Sequence, residues 1–559
     1  MKKSLLLLGM VAALGLSAQA QVPYAYGLKT QGVTDGQLAA NATAVTIDYS
    51  LNAPATGVKV ELYNGTELAK TVDLSADSAN LTIGNHEVAV PIEGLTAGVT
   101  YTWKVNVSAP AVTTPTAFSH AQYQFWSPYG IAIDNNTESD HFGRILVTEC
   151  QPNVPDTYWA KKEGVGVGVY AFDPQLEPIK NAKGTNGFNG GLTWDNYKYK
   201  SDNRVFSFKK VRISKDGRIF VGSLDMVKNP IYEVDPDNLD AWTPLFEGQK
   251  ASADSTNGNI VDAEGKFIGG LSVAFDVLGE GENLKLVNLS CDQGQVFSFG
   301  PYHCYQYNLG TAKSIKTAVT DEQEVLPLSM QYTISAQSAS IAYDQNGGIW
   351  YSQYRGTPTD AMPAFVHVTA AGDEDYKDIT TVARGGGVGF NKDYSVLALP
   401  TANNEVTLFN VDKDADGKPV LTKLVSFASL RGCNDIAFDW AGNFYTCDNG
   451  KELFGGWAIP QTLKAGVIAN ADATGDPAVI TPAPSKYAFT VSTVTGVNEV
   501  AKSSANITAG VGFIEVAGAQ RVQIYSINGT LVSTSNKAEV PAGVYVVRAD
   551  GKACKVLVK

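Results

Sequence analysis

One short phrase recurs six times along this chain: Ile131-Ala-Ile-Asp134, Val211-Arg-Ile-Ser214, Val273-Ala-Phe-Asp276, Ile341-Ala-Tyr-Asp344, Val388-Gly-Phe-Asn391 and Ile436-Ala-Phe-Asp439. Each copy is followed by a turn and a second apolar run. These runs are Arg144-Ile-Leu-Val-Thr148, Arg218-Ile-Phe-Val-Gly222, Leu284-Lys-Leu-Val-Asn288, Gly348-Ile-Trp-Tyr-Ser352, Ser395-Val-Leu-Ala-Leu399 and Asn443-Phe-Tyr-Thr-Cys447. A lone hairpin cannot bury its apolar faces, so six copies must pack on one another to make a core. That requirement narrows the architecture before composition is considered.

The starts of the phrase lie 80, 62, 68, 47 and 48 residues apart. A blade of four antiparallel strands takes about 40–50 residues, so the last spacings fit directly and the earlier ones hold insertions. The first turn recurs as Ser214-Lys-Asp-Gly217, Asp344-Gln-Asn-Gly347 and Asp439-Trp-Ala-Gly442. Asp and Asn there bond nearby backbone and Gly accepts positive φ. Third strands recur as Val169-Tyr-Ala-Phe-Asp-Pro174, Ile231-Tyr-Glu-Val-Asp-Pro236 and Val406-Thr-Leu-Phe-Asn410. The pattern predicts a six-bladed β-propeller over 116–488. It resembles the propellers of the NHL and gluconolactonase/regucalcin type. The last blade lacks a fourth strand of its own, so closure is expected from Gln122-Tyr-Gln-Phe125 or Ala478-Val-Ile480.

Two smaller units flank the repeats. Residues 1–20 read as a secretory signal: Lys2-Lys3, an apolar stretch Leu5 to Leu16, and Ala18-Gln19-Ala20 with cleavage after Ala20. Residues 21–115 alternate apolar and polar residues over Ala44–Leu51, Val58–Tyr63, His86–Ile92 and Thr100–Val107, as strands with one buried face do. The run Leu95-Thr-Ala-Gly98-Val-Thr-Tyr101-Thr-Trp103 resembles the corner of fibronectin type III and immunoglobulin-like modules, where a Tyr hydroxyl ties back to upstream backbone. Thr481-Pro-Ala-Pro484 breaks the pattern before the third unit, 489–559. There Val522-Gln-Ile-Tyr-Ser-Ile-Asn-Gly529, Gly543-Val-Tyr545-Val-Val-Arg548 and the end Lys555-Val-Leu-Val-Lys559 resemble the C-terminal sorting domain of the type IX (Por) secretion system. That resemblance implies a small β-sandwich, the type IX machinery as a partner, and delivery through the periplasm to the outer-membrane surface or medium. The expected class is all-β: an Ig-like sandwich, a propeller and a small C-terminal sandwich.

Composition agrees. Gly 54 and Tyr 25 against Met 5 suit a turn-rich β protein. A net charge of −13 argues against nucleic acid as a partner, and no transmembrane span is expected after the N-terminus. In an exported chain cysteines can oxidise; Cys433 with Cys447, and Cys291 with Cys304, stand on neighbouring strands and are expected to pair.

Residues just before the first strand and just after the second share one end of a propeller channel. That end is expected to carry Glu149, Asp292, Arg355, Asn434, Asp435 and Asp448 as a ligand site. Converging carboxylates there suit a cation such as calcium. In regucalcin-like lactonases a Glu and Asn/Asp side chains hold a divalent metal, so Glu149, Asn434 and Asp435 are its candidates here. The other loops before first strands supply almost no ligands, which weighs against lactonase chemistry. Asp412-Lys-Asp414-Ala-Asp416-Gly417 opens like a calcium loop but has Lys423 at its twelfth position, and reads as an acidic hairpin turn. The expected function is a non-catalytic binding scaffold for a protein or glycan. A metal-dependent lactonase-like hydrolase and a surface-layer structural protein are the alternatives.

Overall fold

A computed structural model describes residues 21–109, 112, 114–118, 123–151, 154–194, 208–225, 228–251, 258–291, 302–326, 340–352, 358–360, 363–380, 386–401, 405–428, 433–448, 453–460, 477–493 and 506–559. They form two compact units. One is built from 21–31, 46–90 and 102–488, the other from 32–45, 91–101 and 489–559.

In the first unit the repeated phrase is the innermost strand of six antiparallel sheets. These strands are Pro128–Ile133, Phe208–Ile213, Leu271–Leu278, Ser340–Tyr343, Gly389–Phe390 and Cys433–Phe438. Each pairs with its second apolar run: Ile131 faces Val147, Val211 faces Val221, and Ile436 faces Thr446. Innermost strands lie side by side from blade one to two, two to three and three to four, and from five to six and back to one. An apolar cluster fills each space between neighbouring blades, such as Phe246, Phe275 and Leu286 between two and three. The long spacings hold insertions. Trp194 packs on Phe208 at 4.2 Å, and a small sheet of Gln249–Lys250, Ile260–Val261 and Phe267–Gly269 lies between blades two and three in sequence. The recurring turns take the form their residues dictate. Asp344 and Asp439 accept backbone N–H groups of their own turns, with Gly347 and Gly442 at positive φ. Asp414 does the same in the hairpin turn that resembled a calcium loop.

The ring closes from outside the last hairpin, with a different segment from the two expected. Thr116–Phe118 pairs with Leu453–Ala458 as the fourth strand of blade six, Phe118 opposite Gly456. The Phe118 ring lies edge-on to Tyr445 at 5.3 Å. A Cβ on Gly456 would stand 2.5 Å from that ring, so the seam requires glycine there. Ala478–Pro482 goes elsewhere: it pairs with Thr100–Ser108, Val479 opposite Val107. Thr100–Ser108 also pairs with Gly57–Asn64. The chain leaving the propeller therefore returns to the N-terminal sheet. The expected strands of that region form within one or two residues of the sequence reading.

In the second unit, Phe489–Thr490 pairs with Thr100 and Tyr101. Residues 506–559 make two facing sheets, one of Asn506–Ala509, Phe513–Ala517 and Lys537–Glu539. The other is Leu531–Ser533, Val522–Ser526, Gly543–Ala549 and Lys552–Val558. Ile514, Val516, Ile524, Val547 and Val558 form the core between them.

Phe118→Ala removes the buried side chain that seals the seam. It is expected to lower stability by about 3–5 kcal/mol, the usual cost of deleting a buried Phe, read as a fall in the urea midpoint. A change below about 1 kcal/mol would show that the seam carries no load.

Candidate functional site

The strand starts and second-strand ends place three of the expected residues at one end of the channel. Asp292 and Arg355 lie outside the described residues. Asp448 is described through its backbone alone, opposite Cys433 and Leu453.

Glu149 ends its strand fully buried. Its Oε2 accepts the peptide N–H of Trp126 at 2.7 Å and its Oε1 that of Ser127 at 2.9 Å; Gln151 donates at 3.3 Å. Burial pushes the carboxyl up to about 7, against those backbone donors. Glu149 thus satisfies the peptide groups of the chain entering blade one. Asn434 donates from Nδ2 to the Pro128 carbonyl at 3.2 Å, and its own carbonyl accepts Lys210 Nζ at 2.5 Å.

Asp435 is fully buried and has cations on it. Arg212 Nη1 lies 2.7 Å from Oδ2 and Nη2 3.0 Å from Oδ1, a two-pronged pair. Lys210 Nζ stands 3.1 Å from Oδ1, and the Ile131 N–H donates to Oδ2 at 3.0 Å. Arg212 Nε reaches Asp276 Oδ1 at 3.2 Å, and Asp276 Oδ2 accepts the Tyr343 N–H at 2.8 Å. Burial alone would raise the Asp435 carboxyl; Arg212 and Lys210 outweigh it and hold it below its ordinary value. Burial pushes the Lys210 ammonium down, against the pull of Asp435.

This corrects the expected electrostatics. Glu149, Asn434, Asp435, Asp292, Arg355 and Asp448 were read as an acid-rich mouth awaiting a cation. For Asp435, Lys210 and Arg212, missed in that reading, already supply the countercharge. Their signal was present: Phe208-Lys-Lys-Val-Arg-Ile213 is the one innermost strand dense in bases, and a buried strand cannot hold cations without buried partners.

A divalent cation needs several oxygens converging on one point. Here the Glu149 oxygens face peptide N–H groups, the Asn434 amide donates to the Pro128 carbonyl, and Asp435 faces two cations. Glu149, Asn434 and Asp435 do not fit calcium or another divalent ion. Among the described residues no group of three His, Cys, Asp or Glu side chains is placed to hold a metal.

The space on the axis lies at the other end, beyond the ion network. A cavity of about 220 Å³ there is walled by all six innermost strands, with Arg212, Asp276, Asn135 and Tyr394 among its polar groups. The channel has space at its turn face.

The expected disulfides do not form. Cys447 Sγ lies 3.3 Å from the Gly130 carbonyl and Cys433 Sγ 3.7 Å from the Asp435 carbonyl, not on each other. Asp435 stands opposite Cys447, and Cys433 is offset by an irregularity in the strand. Cys304 stands opposite Leu289 and Cys291 opposite Tyr302. The Cys304 thiol is buried in the apolar core between blades three and four, with no disulfide.

No family model matches the chain, and no curated protein does. Among solved structures it is similar to a structural genomics protein of unknown function from Bacteroides thetaiotaomicron, at 10% identity and a TM-score of 0.34, over 77% of this chain and 98% of that one. The β-propeller domain of Cps50 (Swd1) from Myceliophteria thermophila aligns at 8% and 0.32, over 80% and 100%. A candidate gluconolactonase aligns at 10% and 0.30, over 63% and 93%. Likenesses this distant carry no functional argument. The six sheets and their closure establish the propeller.

Asp435→Asn leaves Lys210 and Arg212 buried with one carboxylate fewer. Breaking a buried pair by removing one partner costs about 3–5 kcal/mol, so thermal unfolding is expected at a markedly lower temperature. An unchanged unfolding temperature would mean that the network is not coupled to the fold.

Proposed function

We propose that this chain is an exported protein, surface-bound or released, whose propeller is a non-catalytic binding scaffold for a protein or glycan. One observation carries the non-catalytic part. The carboxylates that metal-dependent lactonase chemistry would use are occupied by the protein itself, Glu149 by backbone donors and Asp435 by Lys210 and Arg212. A site already neutralised this way polarises no substrate carbonyl. What it provides is a rigid ring that carries recognition surfaces on its cleft and turn residues.

Export rests on the sequence at both ends. The N-terminal 20 residues have the order of charged, apolar and small residues of a secretory signal. The C-terminal order, an Asn-Gly turn before Thr530 and a Gly-x-Tyr strand, is that of type IX sorting domains. The sandwich of 506–559 supports this reading, with Gly529 at φ 81° in the Asn-Gly turn and Gly543–Ala549 in the sheet interior. The immunoglobulin-like reading of the N-terminal region is supported by its corner, where the Thr96 N–H donates to the Tyr101 hydroxyl at 2.9 Å.

Two experiments test the two halves. Incubated with simple lactones and calcium, manganese or zinc, the mature protein is expected to give no hydrolysis above the metal alone. Turnover abolished by Glu149→Gln would overturn the scaffold reading. A chain lacking residues 497–559 is expected to fold and remain in the periplasm of a host with the type IX system. Its normal delivery to the surface would overturn the export reading.

A further inference from the structure

We infer that the cleft between blades four and five is a binding site for a neutral saccharide ring. The inference deepens the scaffold reading and rests on it. The cleft is a second cavity, of about 270 Å³, on the turn face of the propeller; Asp344, Trp350, His367 and Asp375 from blade four and Phe390 and Tyr394 from blade five line it. Its volume falls just below the roughly 300–1,000 Å³ of sites for drug-sized ligands, which suits one ring rather than a folded partner.

The first observation is a break in the repeat. In blades two, four and six the fourth turn residue is Gly217, Gly347 or Gly442, at φ 86°, 88° and 83°. Blade five puts Tyr394 at that position, at φ 59°. A bulky side chain in the left-handed region is strained where glycine is not. The ring so placed lies beside Phe390, centroids 5.4 Å apart, and lines both this cleft and the channel cavity. Its hydroxyl has no hydrogen-bond partner among the described residues. Phe390 and Tyr394 are both half-buried and both line the cleft.

The second observation is the charge of the wall. His367 Nδ1 lies 2.5 Å from Asp375 Oδ1, and Nε2 lies 3.2 Å from Asp344 Oδ2. Burial works against the charged imidazole, but Asp344 and Asp375 outweigh it and hold His367 above its ordinary value, which favours the charged form. Asp412 and Lys413 line the same cavity, so with the imidazole charged its three carboxylates and two cations leave a net of one negative charge. An organic cation would meet the imidazolium and Lys413, and an anion would meet three carboxylates. A neutral ligand with hydroxyls on its rim and an apolar C–H face matches carboxylate acceptors on one wall and Phe390 and Tyr394 on the other. The Tyr394 hydroxyl adds a group that can donate or accept.

The test uses the full mature chain and the methyl glycosides of glucose, galactose, mannose, fucose and N-acetylglucosamine, read by saturation-transfer NMR. At least one glycoside is expected to bind. Its affinity is expected to fall at least tenfold in Asp375→Asn and in Tyr394→Gly. The second variant restores the residue that three other blades use, so its unfolding temperature is expected to hold or rise, and lost binding cannot be put down to unfolding. Three results would overturn the site: no glycoside binds, a glycoside binds Tyr394→Gly with full affinity, or tetramethylammonium binds in a Tyr394-dependent way while the glycosides do not. Each of these leaves the scaffold reading in place, because that reading falls only on lactone turnover.

Discussion

Arg212 gripping Asp435 across the axis is the contact on which the ring depends. Six innermost strands bring their backbones to one narrow channel, and something must fill it. Here Arg212 and Lys210 of blade two meet Asp435 of blade six and Asp276 of blade three. The carboxylates then accept the Ile131 and Tyr343 N–H groups of blades one and four. Removing these charges from water is expensive, and their mutual attraction in a low dielectric offsets that cost without a large surplus. What the network adds is identity. Apolar spaces between blades resemble one another, whereas only one arrangement of blades satisfies two cations and two carboxylates at once.

The repeat phrase made most of the fold legible. Hydrophobic period, turn chemistry and spacing are local properties, and they placed all six innermost strands and the hairpin turns. Closure was legible as a need but not as a partner. Thr116–Phe118 is three residues long and pairs with a strand from the far end of the ring, and nothing in so short a stretch advertises a partner that distant. Ala478–Ile480 had the right pattern and went to the N-terminal sheet instead, because alternation shows that a strand exists and not which edge it joins.

The site was less legible, for an electrostatic reason. Glu149 and Asp435 sit where the spacing put them, yet a carboxylate's role depends on what faces it. For Asp435 that is a pair of bases more than two hundred residues earlier in the chain. For Glu149 it is peptide N–H groups, which carry no side-chain signal. The cysteines failed through register: an irregularity between Cys433 and Asp435 sets Cys433 opposite Asp448 and not Cys447. The Tyr394 turn was visible as Asn391-Lys-Asp-Tyr394, a departure from the Gly-ended turns, but its meaning came only with the cleft beside it.

The seam between Thr116–Phe118 and Leu453–Ala458 sets an order in time. Strand 116–118 is made first and must wait for almost the whole propeller before its partner exists. Until then blade six has a raw edge, the kind of surface on which chains stick to one another. Contacts of such long range also form slowly. Blade six is thus the last blade the chain completes, and any unfoldase or translocon acting on the ring has one natural place to begin. Pulling the three-residue strand free takes one short strand from blade six and leaves the other five blades whole.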